Sequence, residues 1–273
     1  MAVPPSRRST VSRSSDHGSC RYTAVLGAEG VGLGCWQANR QQWLGSRAFT
    51  CAAGQAPGVA AVDALAAMLS ERGAGGAQLR VLLSARYSRF CLVPWSDVIG
   101  HPRELDAYAR ACFEALYGQT LDDWRIVLSP EPAGAARIAT ALPEALLLRL
   151  QALGRDHHLS LRSVQPYLMA AYNRCTEQLA QGDFLFVLAE PQRSVLLLAA
   201  GGAWQQVLTQ GCADSDQALQ ALIERTCELY GEPLPPVYLH APARLDVPRV
   251  AALQLCPPAS DADPLCAMWR AVA

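Results

Sequence analysis

The chain has 273 residues, 51% of them hydrophobic and 17% charged, with a formal net charge of -1. A chain this apolar folds around a sizeable core instead of staying disordered, and so small a net charge gives no global pull on nucleic acid or acidic lipid. All 23 basic residues are arginine, which excludes P-loop, Schiff-base and kinase-strand chemistry, since each needs a lysine.

Residues 1–20 have the Ser/Arg/Pro composition of a disordered tail, with a basic tether to a membrane or partner as its functional alternative. They carry no apolar stretch of the kind a signal peptide needs. Strands are predicted at Arg21–Leu26 and Val31–Gln37, a hairpin around Gly27-Ala28-Glu29-Gly30, with a third strand at Trp43–Cys51. After a Gly/Pro linker, Val59–Glu71 reads as a helix with Val59, Val62, Leu65, Ala66 and Leu69 on one face, and Leu79–Ser84 returns as a strand.

A compact α/β unit follows. It comprises Arg86–Trp95, either a strand of its own or the continuation of one bent strand with the preceding Val81–Ser84, and a helix at Glu104–Tyr117, with Leu105, Tyr108, Ala109, Cys112, Phe113 and Leu116 on its apolar face and Gly118 as its stop. Strands at Trp124–Leu128 and Ala136–Leu142, a helix at Pro143–Leu153, a strand at Leu159–Val164 and a helix at Pro166–Leu179 complete it. Asp183–Ala189 and Arg193–Ala199 then form a second hairpin across Glu190-Pro191-Gln192, and Trp204–Thr209 is its third strand. A helix runs from Asp214, the expected N-cap, to Tyr230, and Pro236–His240 is the returning strand. Hairpin, third strand, helix, strand thus occurs twice without a repeat of residues, which points to duplicated lobes.

That β-β-β-α-β plan resembles the actin-like (ASKHA) fold. The α/β unit within the first copy is similar to the inserted subdomain of the FtsA and PilM branch, and Arg89–Trp95 with Glu104…Gly118…Trp124 looks like the cytoplasmic portion of GspL-type secretion proteins. The resemblance implies two facing lobes: residues 21–182, carrying an insert over about 79–165, and a shortened second lobe over 183–273. It also implies a cytoplasmic scaffold of a type IV pilus or type II secretion-like machine. Such a scaffold docks the cytoplasmic segment of a single-span inner-membrane protein, and an assembly ATPase is a further candidate partner.

Actin-like ATPases place acids and glycines on both hairpins and a glycine pair near the adenosine, where backbone N–H groups approach phosphate. Here the first hairpin keeps Gly27 but has Val25 where the acid belongs. The second reads Ala189-Glu190-Pro191, with a proline that lacks an N–H, and the third position reads His240-Ala241-Pro242. A pseudo-ATPase with no catalytic residue, cofactor or metal is therefore expected. A weak ATPase using Glu29 or Glu190 is one alternative, and an enzyme on an unrelated α/β fold is another.

Other motifs add little chemistry. Gly30-Val31-Gly32-Leu33-Gly34 is not followed by a helical stripe, as dinucleotide binding requires, and reads as part of the hairpin. No two of the ten cysteines form a C-x-x-C pair, so reduced, packed thiols are expected. His157 and His158 read as a solvated loop. Arg86, Tyr87 and Arg89, an aromatic between two fixed charges, are the candidate partner-binding residues, and an ordinary exposed strand face is their alternative.

Overall fold

The computed structural model describes residues 20–37, 40–73, 75–231, 234–244, 248–256 and 263–272; the expected N-terminal tail, save Cys20, lies outside them. Three sheets organise these residues.

The first sheet holds β1 (Arg21–Leu26), β2 (Gly30–Gln37), β3 (Arg40–Ala48), β4 (Gln78–Leu83) and β8 (Ser160–Pro166) in the order β3-β2-β1-β4-β8. The first three strands are antiparallel neighbours, and β4 and β8 run parallel to β1. Side chains alternate along each strand, so the sheet has two distinct faces. Ala24, Leu26, Leu79, Val81 and Leu83 pack outward against α1 (Pro57–Ser70) and α3 (Glu144–Asp156), through Leu65 and Leu69 of one and Leu146 and Leu150 of the other. Pro57 opens α1 at a position where its missing N–H costs nothing.

The second sheet repeats the design with β9 (Phe184–Glu190), β10 (Arg193–Ala200), β11 (Ala203–Gly211), β12 (Val237–His240) and β13 (Leu253–Gln254), in the order β11-β10-β9-β12-β13. Leu185, Val187, Leu196 and Leu198 meet α5 (Asp216–Tyr230) on the outer face. The alternate set, Phe186, Leu188, Val195 and Leu197, turns inward. There it shares one core with Val25 and Leu82 of the first sheet, with α4 (Tyr167–Cys175), and with α6 (Pro264–Val272). The two lobes therefore face each other across a filling of two helices.

The third sheet is the insert: β5 (Arg89–Val93), β6 (Trp124–Leu128) and β7 (Arg137–Pro143), ordered β5-β7-β6 and covered by α2 (Pro102–Tyr117) through Ala109 and Phe113. Glu104 accepts from the His101 N–H at the start of α2, and Gly118, at φ 67°, closes it. The two strands at the ends of the expected 79–165 insert, β4 and β8, are hydrogen-bonded into the first sheet. The separate small sheet accordingly spans Arg89 to Pro143.

Several boundaries differ from expectation for physical reasons. Ser215, not Asp214, caps α5 by accepting from the Ala218 N–H at 3.2 Å; the Asp214 carboxylate is occupied by the Gln192 N–H. Pro143 ends β7 and does not enter α3. The third strand of the first lobe starts at Arg40 because it pairs with the full length of β2, down to Gln37. Neither α6 nor β13 was expected.

Candidate functional site

The cleft between the two hairpins is where the resemblance would place nucleotide. In the first hairpin the Gly27 N–H donates to the Gly30 carbonyl at 2.9 Å, which makes a tight turn. Gly30, Gly32 and Gly34 follow at alternate positions of β2 and so share one face. A Cβ on Gly27 would lie 2.6 Å from Leu265 Cδ2, and one on Gly30 would lie 3.2 Å from Leu265 Cδ1. On Gly32 it would collide with the Trp43 ring, and on Gly34 with the Trp269 ring. The glycines make room for α6 and for two indoles packed at a tilt of 45°, whose centroids lie 5.6 Å apart. Their freedom from side chains serves this packing.

The second hairpin is equally committed. Pro191 has no N–H, and the next one, on Gln192, donates to Asp214 Oδ1 at 2.7 Å. Glu190 is engaged by the first lobe. Ser84 Oγ donates to its Oε2, and the Ala85 N–H donates to Oε1 at 3.1 Å and Oε2 at 3.2 Å. Burial pushes the Glu190 carboxyl up to about 7, partly offset by the hydrogen bonds from Ser84 and Ala85. One side chain of the second lobe thus clasps the end of β4 in the first.

At the third position His240 is fully buried, its pKa lowered to about 4 by that burial. Tyr167 Oη donates to the Met268 carbonyl at 3.0 Å, and a hydroxyl has one proton, so His240 Nε2 must donate to Tyr167 Oη across 3.1 Å. Nδ1 is left to accept from the Cys175 thiol at 3.8 Å. This chain of contacts joins α4, β12 and α6, and belongs to the inter-lobe core.

Two cavities remain beside Glu190. One, of about 250 Å³, is lined by Gly27, Glu29, Arg47, Glu190, Asp263 and Leu265 among others; the second, of about 500 Å³, lies over Pro191, Asp214, Asp216 and Arg244. Both carry more acid than base. Arg47 is paired with Glu71 at 2.6 Å, and Arg244 with Asp216 at 3.3 Å. The start of α6 points to no free anion site either, since Asp263 Oδ1 accepts from the Leu265 and Cys266 N–H groups. Glu29 is exposed at the rim. Among the described residues no cluster of three His, Cys, Asp or Glu side chains could hold a metal ion.

Of the three candidate partner-binding residues, Arg86 and Tyr87 lie in the turn between β4 and β5 and Arg89 is the first residue of β5, at the junction of first lobe and insert. Arg86 is exposed. Tyr87 does not present its ring to solvent: it is buried in the first-lobe core, and its hydroxyl donates to the Gly27 carbonyl at 2.8 Å. Arg89 lies between the Tyr117 and Trp124 rings, 4.9 and 4.7 Å from their centroids, and fastens the end of α2 to β6. Two of the three spend their polar groups inside the protein, and Arg86 is left as the outward charge. His157 and His158 lie at the end of α3, with His158 at a φ of 53°.

The residues that sequence reasoning missed are those of α6. Asp263 ahead of Pro264, with Leu265 and Trp269 one turn apart, is a readable helix start. That this helix enters the cleft is a tertiary fact.

Comparison with known proteins places this geometry. No family model matches the chain, and no curated protein matches it. Among solved structures, the cytoplasmic domain of EpsL, an inner-membrane component of the type II secretion system of Vibrio cholerae, superposes with a TM-score of 0.59 at 15% identity, covering 93% of this chain and 94% of that one. A Bacteroides thetaiotaomicron protein of unknown function with an actin-like ATPase fold gives 0.60 at 8% identity, covering 93% and 97%. The PilM-PilN type IV pilus biogenesis complex gives 0.57 at 15% identity, covering 93% and 90%. The chain has the actin-like fold, with two facing lobes and an inserted small sheet.

Proposed function

We propose that this chain is a non-catalytic cytoplasmic scaffold of a type IV pilus or type II secretion-like machine. It docks the cytoplasmic segment of a single-span inner-membrane partner and acts beside an assembly ATPase. The observation that carries the reading is the internally occupied cleft. Leu265 rests on Gly27 and Gly30, Asp214 takes the hairpin N–H at Gln192, and Ser84 and Ala85 take both oxygens of Glu190. A triphosphate would have to displace each of these and then face an acidic lining. A protein without nucleotide chemistry works through its surfaces.

The fold neighbours support this reading, since one is described as a secretion-system membrane component and another as a PilM-PilN complex. In this proposal residues 21–182 form the first lobe and residues 183–273 the second. No helix among the described residues is long and apolar enough to cross a membrane. The docking groove lies along the 84–89 turn between lobe and insert. There Arg86 offers its guanidinium to a peptide carboxylate, while Tyr87 and Arg89 hold the groove's two walls in place.

Calorimetry with Mg-ATP should give no saturable heat at millimolar concentration. Heat abolished by Glu190→Gln or Glu29→Gln would establish a working nucleotide site instead. A pull-down with the partner's cytoplasmic tail should weaken on Arg86→Ala; undiminished capture by that variant moves the groove elsewhere.

A further inference from the structure

A second cavity system lies on the inter-lobe face of the first sheet, at its other end. β1 starts at Arg21, about five steps of strand, or roughly 16 Å, before the hairpin. A cavity of about 350 Å³ opens there, and Arg21, Arg80, Arg162, Ser163, Trp36 and Trp269 contribute to its lining. Among the described residues no Asp or Glu contributes. In a chain of net charge -1, three guanidiniums around one cavity are a local concentration of positive charge.

The register shows how they are brought together. Arg21 pairs with Gln78, and one row further along Thr23, Arg80 and Ser163 lie side by side. These rows share the face of Val25 and Leu82, the inter-lobe face. Leu79 pairs with Leu161 but Arg80 pairs with Ser163, so Arg162 is the extra residue of a β-bulge. Bulges re-aim a side chain, and here the side chain is an arginine beside the other two.

Among the described residues no carboxylate neutralises these charges. None of the ion pairs among the described residues involves Arg21, Arg80 or Arg162. Arg80 is half-buried, and its protein partner is the Gln165 amide oxygen, which accepts from Nε at 3.0 Å and from Nη2 once the amide is turned. Nη1 keeps its donors, since a guanidinium carries five N–H groups. Arg21 lies over the Trp36 ring at 5.7 Å. The buried indole N–H of Trp269, another lining residue, has no hydrogen-bond partner among the described residues.

We propose that this cavity binds a multiply charged oxyanion of the phosphate or carboxylate class. Planar guanidinium forks match such oxygens two at a time, and a half-buried arginine with no counter-ion gains most from one. The site is separate from the hairpin cleft and from the 84–89 turn, so it stands or falls independently of the scaffold reading.

The test is calorimetry of the whole chain with inorganic pyrophosphate, and in a second arm with a hexaglutamate peptide. Pyrophosphate should bind, more weakly as salt rises, and Arg80→Gln or Arg162→Gln should weaken it at least about tenfold. Arg125→Gln, on the exposed edge of the insert, should leave it unchanged. Thermal melts identify any variant that fails to fold, and Arg21→Gln, at an exposed strand start, is the variant least able to disturb the core. Peptide binding that pyrophosphate displaces assigns the oxyanion to a protein partner; pyrophosphate binding alone assigns it to a phosphate ligand. No binding of either probe, or pyrophosphate binding that survives all three arginine substitutions, overturns the proposal.

Discussion

Replacing Glu190 by Gln separates the charge of the inter-lobe clasp from its shape. Gln keeps an oxygen for Ser84 and Ala85 but cannot ionise. The wild-type carboxyl has its pKa raised from 4.5 to about 7 by burial, so the folded protein holds this proton more tightly than the unfolded chain does. The sign follows directly. The stabilisation is fully present below pH 4.5 and is lost as pH rises through about 7. That interval corresponds to about 3 kcal/mol. Urea unfolding of both proteins at matched pH from 4 to 8.5 gives the difference in unfolding free energy, from which every other titrating group cancels. Wild type should lose roughly 3 kcal/mol relative to Glu190→Gln across this range. A pH-independent difference would refute the buried clasp. So would a difference of opposite sign, which would mean that Glu190 is an ordinary paired carboxylate.

Four further outcomes are expected. Gly34→Ala should destabilise the protein by about 1–3 kcal/mol or more in denaturant titration, because the added methyl collides with the Trp269 ring. Tyr87→Phe should cost about 1–3 kcal/mol by leaving the Gly27 carbonyl without its donor, and Tyr87→Ala about 3–5 kcal/mol by opening a cavity; a neutral Tyr87→Ala would place that ring at the surface. Burial lowers the His240 pKa from 6.5 to about 4, so the unfolded chain binds the extra proton first and stability falls as pH drops from 6.5 towards 4. His240→Phe should flatten that acid limb in pH-dependent melts. Trp204→Phe should loosen the insert, seen as faster amide exchange in β5 and β7, because the indole N–H bond to Glu131 at 2.9 Å is lost.

What the sequence disclosed and what it hid divide along physical lines. Periodicity and punctuation are local, so both hairpins, the α2 face from Leu105 to Phe113 and the Gly118 stop could be read directly. The departures from a nucleotide site, Val25, Pro191 and Pro242, could be read as well, since each is a property of one residue. The reason for three alternate glycines in β2 could not, because their neighbours Leu265 and Trp269 are more than two hundred residues away in sequence. Tyr87 misled for a related reason: an aromatic between two arginines looks exposed until the fold brings Gly27 to its hydroxyl. Arg89 likewise met Tyr117 and Trp124 only once α2 and β6 had closed over it.

The insert leaves the first lobe by the 84–88 turn, yet β5 runs beside β11 of the second lobe, where Trp204 bonds to Glu131. Mechanically it is a strut anchored at both ends. Together with α6 wedged on β2 and the Glu190 clasp, it gives the two lobes three separate load paths in addition to the connecting chain. A hinge needs a compliant axis, and these three contacts brace the lobes against one. On the scaffold reading proposed above, such a body would offer a docking segment a surface already in its bound shape, so that little ordering entropy is lost. On the same reading, a body so braced would supply no opening stroke of its own to let the docked segment go. Release would then have to come from outside, by competition for the same surface or by pulling on the bound segment.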